Sequence, residues 1–95
     1  MSGWDARVRY ITVSLSPAAV GANAAAEQIF AVAGVRGDDM VIAINKPTAQ
    51  AGLGIVGMRV SSDGNIGITF ANVTGSSITP TAAQTYIIAV LVKQP

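Results

Sequence analysis

The 95-residue chain contains no cysteine and no histidine, and only 12% of its residues carry charge. The missing cysteines remove disulfides, thiolate nucleophiles and zinc–thiolate centres. The missing histidines remove the commonest general base and most ways of activating a hydroxyl nucleophile. Aromatic residues are also few, at 5%. Average soluble domains carry roughly 25% charged residues. A surface this poor in charge is prone to association, so cover by sister copies or by another protein is expected. No run of about 20 apolar residues exists to form a spanning helix. The longest apolar run is Tyr86–Val92, and Asp5, Arg7 and Arg9 stand where a signal peptide would need apolar residues. Neither a membrane span nor a leader is expected.

The net charge is +1. The basic residues Arg7, Arg9, Arg36, Lys46, Arg59 and Lys93 are scattered, and no aromatic RNA-binding signature accompanies them. Nucleic-acid binding is therefore not expected.

What the chain does have is strand pattern. Ile66–Val92 holds two strand segments, Ile66–Asn72 and Gln84–Val92, joined by a Thr/Ser/Gly/Pro-rich connector, without one charge. Upstream, Arg7–Leu15 sets Ile11, Val13 and Leu15 on one face and Val8, Tyr10 and Thr12 on the other, so cover on both sides is expected. Further strands are expected at Glu27–Ala33, Met40–Asn45 and Ile55–Ser61. In the last of these, Val56, Met58 and Val60 form the apolar face. Ala18–Ala26 reads as a loop or single turn, because Gly21 and Asn23 interrupt it. Ser62-Asp63-Gly64-Asn65 is the clearest hairpin signal, since Asp-Gly suits a tight turn between alternating runs. About six strands with regular turn signals predict an all-β single domain over residues 1–95. The expected architecture is a small antiparallel β-sandwich, jelly-roll or immunoglobulin-like, with residues 1–6 as a candidate N-terminal arm.

Candidate chemistry is sparse. Gly52-Leu53-Gly54-Ile55-Val56-Gly57 matches G-x-G-x-x-G, but a dinucleotide site needs a helix after it. An alternating hairpin pattern follows instead, so a glycine-tolerant bend entering a strand is expected, with Gly57 at a bulge or a close backbone approach. Asp38–Asp39 would supply part of a calcium site, which takes six to eight oxygens in all; a solvated turn is the simpler reading. A glycosidase-like pair would need two scattered carboxylates to converge. Asn72-Val73-Thr74 fits a glycosylation sequon without a secretory context. No metal, no cofactor, no catalytic residues and no enzymatic activity are expected. Trp4, Arg7, Arg9 and Arg59 are the candidate partner-binding residues: Trp4 reads equally as an interface anchor or as packing over the end of the chain's own core, and the arginines either as inter-subunit ion-pair donors or as side chains that snorkel to water.

Several segments carry a resemblance: Glu27-Gln28 before an apolar strand and Gly34, the Asn45-Lys46-Pro47 corner, Gly52-Leu53-Gly54-Ile55, Ile68-Thr69-Phe70-Ala71-Asn72, Thr74-Gly75, Ile78-Thr79-Pro80 and Thr85-Tyr86. Over Ala24–Val92 this pattern resembles a recurring module of tailed-bacteriophage structural proteins. The resemblance implies a small β-sandwich that decorates or cements a capsid. Its expected partners are the major capsid protein and further copies of itself, a trimer being favoured over a dimer. Its location would be the virion, after assembly in the host cytoplasm. Such modules also occur in tail and fibre proteins, which leaves a receptor- or glycan-binding module as the alternative.

Overall fold

In the computed structural model, residues 5–94 are described, and they form six β-strands with no helix among them. The strands are β1 (Asp5–Leu15), β2 (Ala24–Ala31), β3 (Met40–Asn45), β4 (Leu53–Ser62), β5 (Asn65–Asn72) and β6 (Gln84–Gln94). They make two three-stranded antiparallel sheets, ordered β1–β6–β3 and β2–β5–β4. Successive strands alternate between sheets except for the β4–β5 hairpin, which turns at Asp63-Gly64 as its sequence predicts.

This order distinguishes the two expected sandwiches. An immunoglobulin sandwich keeps its first two strands in one sheet, whereas here β1 and β2 part company at once. The chain instead behaves as one long antiparallel ribbon rolled up on itself. Leu15 pairs with Gln84, Val20 with Ile78, and Ala24 with Asn72, so the same two segments stay partnered through the corner between sheets. At that corner Val20 N–H donates to the Ile78 carbonyl at 2.8 Å and Ile78 N–H donates back at 3.0 Å. The result is a jelly-roll-like sandwich in which β1 pairs with β6 and β2 with β5, while β3 adds to β6 in one sheet and β4 to β5 in the other.

The core lies between the sheets. Ile66, Ile68 and Phe70 of β5 face Tyr86, Ile88 and Val90 of β6, and all are fully buried. Burying side chains of this size stabilises the fold by about 1.5–3 kcal/mol each. The two central strands therefore supply most of the core, which explains why the uncharged Ile66–Val92 stretch dominates the sequence. Leu15, Val20, Val32, Val35 and Val41 close its margins.

Three sequence expectations shift. In β4 the register slips between Ile55 and Gly57 and again between Val60 and Ser62. These bulges break the simple alternation, so Leu53 and Ile55 join Val60 against the core while Val56 turns outward. A bulge inserts one unpaired residue and reverses parity beyond it, which a period-two reading misses. Second, β2 begins at Ala24, earlier than expected, because Asn23 adopts positive φ (53°) and completes the turn before it. Third, Glu27 stands in the middle of β2 and not at its start.

Candidate interaction surface

The fold gives its two outer faces different chemistry. On the β1–β6–β3 sheet, the residues pointing away from the core line up in rows across the strands. Val8, Leu91 and Met40 form one row, Tyr10, Ala89 and Ala43 the next, and Thr12, Ile87 and Asn45 a third. None of these is charged. Tyr10 is 79% exposed, Met40 61% and Val8 51%, and Ile42, at the β3 bulge, is also exposed. The nearest charge is at the rim, where Lys93 lies 3.5 Å from Asp38. This uncharged and largely apolar sheet face is the candidate interaction surface, since exposed apolar patches are commonly found where proteins make contacts.

The opposite outer face is built mostly from small and polar groups, with Ile29 and Val56 exposed on its edge strands. Gly54, Gly57, Gly67, Thr69 and Ala71 occupy it. Glu27 of β2 and Arg59 of β4 meet across it in a two-pronged ion pair of 2.7 and 2.8 Å. Gly57 sits at the first β4 bulge, and a Cβ there would stand 3.2 Å from the Thr69 hydroxyl. The bulge reading of Gly57 is thus realised, and its close neighbour is the Thr69 side chain in place of a backbone.

Each end of the sandwich is tied by polar contacts. At one end, Arg9 donates to the Gly34 carbonyl (3.1 Å), Asp39 accepts from Arg36 N–H (3.0 Å), and Asp63 accepts from Gly37 N–H (2.6 Å). At the other, the Lys46 ammonium donates to Thr48 O and to Gln50 Oε1. Partial burial lowers its pKa below the ordinary lysine value. Gln50 in turn binds Thr79 O (3.1 Å) and Thr81 N–H (3.0 Å), which joins the Lys46–Pro47 corner to the Ile78–Pro80 corner.

The sequence-derived candidates do not converge. Trp4 lies outside the described residues. Arg7 and Arg9 sit in the β1 row opposite Val92 and Val90, Arg7 exposed and Arg9 turned onto Gly34. Arg59 is on the far outer face, paired with Glu27. The carboxylates are likewise dispersed: Glu27 faces Arg59, Asp38 faces Lys93, and Asp39 and Asp63 each accept from a loop N–H. Among the described residues, no three of them gather as a metal site would require. The glycine string at 52–57 bends at Gly52 (φ 79°) and runs straight into β4, so no helix N-terminus faces it. Asn72 of the sequon is 1% exposed. Its amide donates to Val20 O and Ser76 O, and its oxygen accepts from the Thr74 N–H and hydroxyl.

The apolar face itself was missed as a site, although half its signal was visible. Gln84–Val92 is apolar on both parities, a pattern that only a strand covered on two sides requires. No family model, curated protein or solved structure matches this chain.

Proposed function

We propose that the protein is a bacteriophage capsid decoration protein, a non-enzymatic β-sandwich that docks on the major capsid protein and stabilises the head. The observation that carries this reading is the uncharged outer face of the β1–β6–β3 sheet, centred on Tyr10, Ala89 and Ala43. The phage-like residue pattern over Ala24–Val92 supplies the partner. In this mechanism Val8, Tyr10, Met40, Ile42 and Ile87 lose their water against the shell. The small, ion-paired face of the β2–β5–β4 sheet remains toward solvent.

Area sets a condition on the mechanism. Three strands 4.8 Å apart and about 30 Å long cover roughly 400 Å², about half of one partner's share in a standard interface. A single copy would bind weakly, and a multivalent assembly would hold far more tightly without any new contact. A homo-oligomer is therefore part of the proposal.

The test is co-sedimentation of the purified protein with capsids that lack it. Tyr10→Ser or Met40→Lys should abolish co-sedimentation while Val73→Ser, a change away from the face, leaves it intact. Binding that survives Met40→Lys, or no binding by the unaltered protein, would remove the capsid reading. Binding of the unaltered protein to host-surface glycans in place of capsids would move it to the fibre-module alternative.

A further inference from the structure

Each sheet has two edge strands, β1 and β3 in one, β2 and β4 in the other. Exposed edges present unpaired N–H and C=O groups, and proteins usually blunt them with bulges, short length, lysine or proline. Three of the four edges are blunted. β3 has six residues, a bulge after Val41, and runs into Lys46–Pro47. β4 is bulged twice. β2 has eight residues, and Glu27 is held on its outer face by Arg59. The fourth, β1, has no bulge, is the longest of the four, and carries its charges, Asp5, Arg7 and Arg9, only in its first half. It runs for 11 residues in unbroken register with β6, and it contains no proline, glycine or lysine.

We infer that the free edge of β1 pairs antiparallel with the β1 edge of a second copy about a twofold axis, fusing two β1–β6–β3 sheets into one continuous six-stranded sheet. This deepens the self-assembly part of the proposed function. Charge selects the occupant and the direction. The charged residues of β1, Asp5, Arg7 and Arg9, all lie in its first half, and Tyr10–Leu15 has none. Antiparallel self-pairing sets the charged half of each copy beside the neutral half of the other. A parallel arrangement would stack Arg7 on Arg7 and Arg9 on Arg9, and like charges directly opposite are destabilising. The middle residue of Asp5–Leu15 is Tyr10, so a register centred there uses the whole strand and brings the two Tyr10 rings together on the outer face. Pairing about a twofold also closes on itself, without an open chain of subunits. It places the two apolar faces side by side, raising the docking area to roughly 800 Å², one partner's share of a standard interface. The assembly so built is a dimer or a multiple of one, in place of the trimer that the phage resemblance favours.

The experiment uses the full chain, which has no cysteine of its own. Sedimentation at about 100 µM protein should give twice the chain mass. Amide hydrogen exchange in β1 should slow at least tenfold between dilute and concentrated samples, with the free edge of β4 unchanged. Under mild oxidation Tyr10→Cys should form a disulfide-linked dimer, and Val56→Cys, exposed on the other sheet, should stay monomeric. Thr12→Lys should return the protein to monomer with its thermal transition preserved. A monomer at 100 µM, a dimer whose β1 amides exchange as fast as in the monomer, or equal crosslinking of Val56→Cys would overturn the inference. A dimer that meets these criteria but does not bind capsids would sink only the capsid reading, and capsid binding by a monomer would sink only the edge pairing.

Discussion

Glu27 and Arg59 clasp each other directly over the backbone of Gly67, joining the two edge strands of one sheet across its central strand. A Cβ on residue 67 would stand 2.7 Å from the Glu27 carboxyl carbon. The glycine is therefore what lets the pair lie flat. The first prediction follows from this clearance. Gly67→Ala should push the mobile carboxylate aside, leave the fold intact, and raise the Glu27 pKa. That pKa lies below the ordinary glutamate value because Arg59 first hydrogen-bonds and then electrostatically favours the carboxylate. A depressed carboxylate pKa contributes stability that is present above the unfolded pKa and is lost as pH falls through the folded one. The pair is exposed, so the effect on stability is small. Carbon-detected NMR titration of Glu27 in the unaltered protein, Gly67→Ala and Arg59→Ala measures it; an unchanged Glu27 titration in Arg59→Ala would refute the pairing.

Asn72 holds three chain segments from inside the fold. Removing its amide leaves the Thr74 N–H without its acceptor and takes one donor each from the Val20 and Ser76 carbonyls, which keep the Ile78 N–H and the Thr74 hydroxyl. Asn72→Ala should destabilise the protein by about 1–3 kcal/mol for each group left unsatisfied, read from urea denaturation. Made in a glycosylating host, the folded protein should show no added mass at this sequon, because the side chain is buried and its hydrogen bonds are already formed.

Tyr86 is fully buried, yet its hydroxyl meets no hydrogen-bond partner among the described residues. Burial raises its pKa above the ordinary tyrosine value. A raised pKa gives stability that is complete below the unfolded pKa, about 10, and is lost as pH rises through the folded value. Tyr86→Phe should keep or raise the neutral-pH stability, by up to about 1 kcal/mol, and should flatten the alkaline loss. Denaturation midpoints at pH 7 and at pH 10.5 test both parts.

Stability and assembly should separate cleanly between the core and the outer face of the β1–β6–β3 sheet. Phe70→Ala, in the core, should cost about 3–5 kcal/mol. Tyr10→Ser and Met40→Ser, on the outer face, should stay within about 0.5 kcal/mol in the isolated chain and reduce association. Parallel denaturation and sedimentation of the three variants decide whether the outer face serves contact or folding.

The central strands were legible because their signal is local. Ile66, Ile68 and Phe70 alternate without a break, and Asp63-Gly64 marks the turn before them. β4 was legible as a strand but not in its facing, because two bulges reverse parity and nothing in the chain spacing of Ile55, Val56 and Gly57 announces one. The partner-binding candidates were chosen by residue type. Arg9 and Arg59 were visible as cations, but their targets, the Gly34 carbonyl and the Glu27 carboxylate, are 25 and 32 residues away. Such pairings are set by the roll of the ribbon. The surface residues Val8, Met40 and Ile87 come from three strands and become one patch only when β6 falls between β1 and β3.

The ribbon topology also orders events in time. Leu15 pairs with Gln84, so at least 69 residues of chain must be made after Leu15 before the first rung of the β1–β6 ladder can form. At about 5–20 residues per second, a strand of high β-propensity waits roughly 3–14 seconds on the ribosome without its partner. On a strand exposed for so long, parallel stacking of nascent neighbours on one polysome would set Arg7 on Arg7 and Arg9 on Arg9, and that like-charge contact opposes it.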